Sequence, residues 1–132
     1  MTAITDSLSG TRYLNLPMKL PNPHLAQITR EKIVGYLLNP EHPGNGGKAR
    51  FFFSAGYDAE NWKRLATQFQ HIVQSEEVLQ IINSPYGRKY IQEGMLQNSD
   101  RRHGVRLVWI VDAGVNFPRL VTAYPNEGVN HD

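Results

Sequence analysis

The sequence predicts an α+β domain: a four-stranded, mostly antiparallel sheet packed with two helices. Three observations carry this. Val105–Pro125, VRLVWIVDAGVNFPRLVTAYP, reads as a hairpin whose first arm is apolar on both parities. Val105, Leu107, Trp109 and Val111 fall on one face and Val108 and Ile110 on the other, the mark of a central strand. Trp62, Leu65, Ala66, Phe69, Ile72 and Val73 follow the i, i+3, i+4, i+7 spacing of an amphipathic helix. The last three strand-like segments are joined by short polar links, which favour antiparallel neighbours.

In chain order, residues 1–23 hold Pro17, Pro21 and Pro23 and show no helical period. They predict an extended arm that either drapes over the core or stays loose, and the alternation of Leu14, Leu16, Met18 and Leu20 suits an edge strand for part of it. Residues 24–125 form the single globular domain, and 126–132 are a polar tail. Thr29 is placed to cap a helix reaching Asn39, with Ile33, Val34, Leu37 and Leu38 as its stripe. Lys32 stands where a capping box wants Glu.

A glycine-rich loop, EHPGNGG, precedes Lys48–Ser54, KARFFFS, which alternation and aromatic content predict as a strand. On a strand, Lys48, Arg50 and Phe52 share one face and Phe51 and Phe53 the other. Gly56-Tyr57 turns the chain and Asp58 is placed to cap the second helix. Glu76–Asn83 fits a short strand or a helical continuation. Ser84–Gly87 is a turn, and Arg88–Leu96 a strand with a bulge expected at Gly94. Asn98–Gly104 is a polar turn, and Pro125 closes the last strand because it has no N–H to give a ladder. Trp62 and Trp109 are expected to anchor one core.

Composition sets outer bounds. The 132 residues are 40% hydrophobic and 20% charged, as in a soluble globular domain. No run of about 18 apolar residues spans a bilayer, and the first residues lack a signal peptide's basic and apolar regions. The absence of cysteine excludes disulfides, thiolate metal sites and cysteine nucleophiles, and fits a cytoplasmic protein. Net charge is +2, but Tyr86–Arg106 alone carries +3, a local excess suited to a polyanion.

The five histidines form no HxH or HxxxH pair, so spacing offers no metal site and no cofactor. The loop is not a P-loop: Gly44 to Lys48 is too short, and Ala49 stands where the hydroxyl belongs. No GxSxG elbow and no paired strand carboxylates argue for a serine hydrolase or a glycosidase. His42 lies in the glycine loop six residues before Lys48, where an imidazole can move protons near neutral pH. By itself that position fits an ordinary surface-loop residue better. Lys48 and Arg50 beside Phe52 fit either a phosphate grip or a solvated strand face.

Three segments together, HPGNGGKARFFFSAGY, SPYGRKY and VRLVWIVDAGVNFPRLVTAYP, resemble a family of small uncharacterised bacterial domains over about Leu20–Pro125. More distantly the layout is similar to the ribonuclease toxin fold shared by barnase, EndoU, colicins and RelE-like proteins. That resemblance implies His42, Lys48 and Thr122 as catalytic residues, with Arg50, Tyr86, Arg88 and Tyr124 holding substrate. It implies a metal-independent endoribonuclease that leaves a 2′,3′-cyclic phosphate, with RNA as substrate and a cognate inhibitor protein as partner. The competing class is a non-catalytic binding protein, an immunity-like, antitoxin-like or accessory domain.

Overall fold

A computed structural model describes residues 18–126. Three helical elements pack against a four-stranded antiparallel sheet. Helix α1 is Arg30–Lys32, continued by a π-helical stretch, Ile33–Leu37; α2 is Lys48–Ser54 and α3 is Trp62–Ser75. The strands are β1 (Gln80–Ser84), β2 (Gly87–Asn98), β3 (Arg101–Asp112) and β4 (Arg119–Pro125), in the order β1-β2-β3-β4. The early residues Met1–Pro17 of the expected arm and residues 127–132 of the tail lie outside the described residues.

The hairpin at the centre of the prediction is present. β3 and β4 pair antiparallel, from Val105 opposite Pro125 to Ile110 opposite Arg119. β3 pairs β2 along its whole length, so it is covered by a strand on each side. Trp109 is fully buried, and its indole N–H donates to Gln92 Oε1 at 2.9 Å. The Gln92 amide in turn donates to the Glu76 carbonyl at 2.8 Å, so a fully buried side-chain amide has both ends partnered. Helix α3 presses Leu65, Phe69, Ile72 and Val73 into the same core. Trp62, expected beside Trp109 as a second anchor, is only partly buried at the rim.

Lys48–Ser54 is a helix and not a strand, which is the main correction. Helical spacing puts Ala49, Phe52 and Ala55 on one buried face and leaves Phe53 exposed. Local propensity of an aromatic run favours a strand, but a tie from the preceding loop starts a helix here. The Asn45 side chain accepts from the Ala49 N–H at 2.8 Å, and Gly47, at φ 90°, makes the entry turn. The sheet still has four strands because Gln80–Ser84, left open by the sequence, supplies the edge strand. Among the described residues, beyond a 3-10 turn at Pro23–Leu25, the helical elements therefore number three, not two.

Smaller differences have local causes. No bulge occurs at Gly94, which pairs Val105 in unbroken register. A Cβ there would lie 2.8 Å from Ile72 Cδ1, so glycine serves a close helix–sheet approach. The irregularity falls instead between Val108 and Trp109, where Val121 is the extra residue on β4. The polar turn expected over Asn98–Gly104 is mostly strand, with Ser99 at φ 58° making the reversal. Thr29 does cap α1, its hydroxyl accepting from Lys32 N at 3.1 Å. Asp58 closes the turn ahead of α3 by accepting from Glu60 N and Asn61 N, and the helix itself begins at Trp62.

Candidate functional site

The residues that the sequence marks for chemistry come from three places, and one further side chain joins them. The Ile33–Leu37 stretch is π-helical: the Leu38 N–H reaches back five residues to the Ile33 carbonyl at 2.8 Å. Ile33 and Leu37 are buried while Tyr36 is left partly exposed. The Tyr36 hydroxyl lies 2.9 Å from Thr122 Oγ1 on β4, a hydrogen bond across 86 residues of chain.

The loop after α1 folds back over the same ring. It runs through successive three-residue turns: His42 N to Asn39 O, Asn45 N to His42 O, and Lys48 N to Asn45 O. Asn45, 3% exposed, fixes its course. Its amide donates to the Tyr36 and Leu37 carbonyls at 2.6 and 3.2 Å, and its oxygen takes the Ala49 N–H. One side chain thus ties the end of α1 to the start of α2.

So held, His42 packs edge-on to Tyr36 with ring centroids 4.9 Å apart. Its Nδ1 accepts from the Gly44 N–H at 2.9 Å, so the neutral ring carries its hydrogen on Nε2. Lys48 Nζ donates to the Asn45 carbonyl at 3.1 Å and lies 5.8 Å from the Tyr36 ring centre. Lys32, one helical turn before Tyr36, brings a second ammonium to 5.0 Å from the same ring. Neither lysine has a carboxylate within 4 Å among the described residues.

Thus the structure brings His42, Lys48 and Thr122 around Tyr36. Sequence reasoning missed Tyr36 and Lys32. The available signal was their i, i+4 spacing on α1, which places both on one flank of the helix. The other four expected residues are not gathered there. Arg50 is exposed on α2, about 200° around the helix from Lys48, so the shared face that the strand reading gave them is lost. Arg88 donates to Asn83 Oδ1 at 2.8 Å, and Tyr86 is 78% exposed in the β1–β2 turn; β3 separates both from β4. Tyr124 sits on β4 two residues past Thr122, opposite Arg106. Arg106 is bonded to Glu93, and that hydrogen bond, with a smaller one from Tyr124, holds the guanidinium proton more tightly than usual.

The cluster offers two cations without carboxylate partners among the described residues, two hydroxyls and an imidazole. That set suits a phosphate group. No group of three or more His, Cys, Asp or Glu that could hold a metal occurs among the described residues. No helix among them is long and apolar enough to cross a membrane.

Comparison with known proteins gives two findings. A family model described as "Domain of unknown function (DUF6883)" matches residues 19–127. The fold matches a chain of a contact-dependent growth inhibition toxin–immunity protein complex from Klebsiella pneumoniae 342 with a TM-score of 0.59 and 15% identity. That alignment covers 76% of this chain and 98% of the other. No curated protein matches the chain.

Proposed function

The chain belongs to the DUF6883 family, and we propose that it is a metal-independent endoribonuclease, the toxin of a toxin–immunity pair acting in the cytoplasm. The observation that carries the reading is the convergence of His42, Lys48 and Thr122 on Tyr36. The distant likeness to a toxin–immunity complex supports a cognate inhibitor protein as partner.

In this reading the ribose 2′-oxygen attacks the adjacent phosphorus. The O2′–P bond forms, the P–O5′ bond breaks, and the products are a 2′,3′-cyclic phosphate and a 5′-hydroxyl. Lys48 balances the charge that gathers on the phosphoryl oxygens, and Thr122 donates a hydrogen bond to one of them. With Nδ1 occupied by the Gly44 amide, His42 meets the substrate through Nε2. For this step the ring takes up a proton at Nδ1 and gives up the Gly44 bond; the imidazolium so formed gives its Nε2 proton to the departing 5′-oxygen, and the 2′ proton passes to solvent. Tyr124, on the same strand as Thr122, is the aromatic placed to stack a neighbouring base. Arg50, Arg88 and Tyr86 contact more distant phosphates or bases of a longer strand.

Labelled RNA incubated with the protein in EDTA tests this. The expected result is cleavage with cyclic phosphate ends, lost in His42→Ala and strongly reduced in Lys48→Ala. Equal rates for wild type and His42→Ala remove His42 as the proton donor. The toxin–immunity likeness also fits a second reading, a non-catalytic member of such a pair. A stable complex with a partner protein and no cleavage supports that one.

A further inference from the structure

We propose that Lys32, Tyr36 and Lys48 form a clamp for one phosphodiester, with Tyr36 positioning the Thr122 hydroxyl toward it. The inference rests on the ribonuclease reading only for the reaction; the clamp itself is a binding site. Three observations carry it. First, two ammonium groups lie 5.0 and 5.8 Å from the centre of one phenol ring, and neither has a carboxylate partner within 4 Å among the described residues. Like charges brought to one ring repel, and an anion shared between them reverses that term.

Second, the hydroxyl pair has a hydrogen to spare. Tyr36 and Thr122 each carry one O–H hydrogen, and their 2.9 Å bond uses one of the two. The other can donate outward, and a phosphoryl oxygen is the acceptor that the two ammoniums favour. Third, the ring is held from both sides of the sequence. The Tyr36 carbonyl takes the Asn45 amide at 2.6 Å, and His42 packs on its ring edge. The hydroxyl pair is therefore set before any ligand arrives, which keeps the ordering cost of binding low.

The alternative is that Tyr36 only staples α1 to the edge strand. Two measurements separate the cases. Cleavage kinetics of RNA should show Tyr36→Phe lowering kcat about tenfold to a hundredfold with KM unchanged. Lys32→Ala should raise KM several-fold with kcat kept, and should reduce the salt slope of binding by about 0.7. A mere staple predicts lower melting temperatures with both constants unchanged.

The second measurement is anisotropy of a labelled single-stranded DNA oligonucleotide, which lacks the 2′-hydroxyl and cannot be cleaved by this route. Wild type should bind it, and Lys32→Ala with Lys48→Ala should weaken binding at least tenfold. If the DNA binds in this way but RNA is never cut, the ribonuclease reading falls and the clamp stands. If RNA is cut while Lys32→Ala and Tyr36→Phe behave as wild type, the clamp falls and the ribonuclease reading stands. If DNA does not bind and RNA is not cut, both fall.

Discussion

Asn45→Ala should destabilise the protein by about 2–3 kcal/mol. The side chain is nearly fully buried and makes three hydrogen bonds to backbone. After truncation the Tyr36 carbonyl keeps the Asn39 N–H, 3.2 Å away. The Leu37 carbonyl and the Ala49 N–H lose the bonds that Asn45 makes to them. A buried polar group stranded in this way costs about 1–3 kcal/mol, and two at the low end give the figure above. For a domain whose total stability is about 5–15 kcal/mol this is a large share. Urea unfolding followed by the fluorescence of Trp62 and buried Trp109 measures it, with the midpoint moving and the slope unchanged. The Ala49 amide should also exchange faster with deuterium, because α2 loses its starting tie. A change under about 0.5 kcal/mol would refute the assignment of Asn45 as the link between α1 and α2.

Other substitutions test other joints of the fold. Gly94→Ala places a Cβ 2.8 Å from Ile72 and should lower stability by about 1–3 kcal/mol. In an Ile72→Ala background the same change should cost much less, and simple additivity would exclude the clash as its cause. Trp109→Ala should cost about 3–5 kcal/mol in equilibrium unfolding, the range for large buried aromatics, and a neutral result would break the core assignment. Asp112 accepts from Arg119, which holds its carboxyl below the ordinary value. Its contribution is therefore full above the ordinary carboxylate range and is lost as pH falls through the folded-state value. The stability gap between wild type and Asp112→Asn should be flat near neutral pH and shrink in acid, and a gap that widens there would contradict the pairing.

How much could be read in advance depends on how far each feature depends on contacts distant in sequence. The Val105–Pro125 hairpin and α3 were legible because their periods of 2 and 3.6 are written in adjacent residues. Thr29 was legible for the same reason, since its bond reaches only three residues along the chain. The run Lys48–Ser54 reads as a strand because its three phenylalanines favour one locally. What decides is burial of Phe52 against Phe69 and the hydrogen bond from Asn45. Asn45 itself looks like any polar residue in a glycine-rich loop. Nothing local says that its side chain turns inward.

The candidate site shows the same dependence. Thr122 drew notice through a resemblance in its surrounding segment, and taken alone it is an ordinary β-branched strand residue. Tyr36 gave only the faint signal of its i, i+4 spacing from Lys32, because on the helical pattern it borders the apolar stripe formed by Ile33 and Leu37. Its meaning appears only when β4 arrives beside α1 and the loop carries His42 and Lys48 over the ring. The π-helical turn contributes to this. Between Ile33 and Leu38 it adds one residue to the turn, which changes the angle between Tyr36 and the buried Ile33 and Leu37 from that of a regular helix. Core packing fixes those two, and the remaining freedom directs Tyr36 to the edge strand. The same stretch that completes the core therefore places the central residue of the candidate site, and a change that regularises it should move the phenol away from Thr122 before it disturbs the sheet.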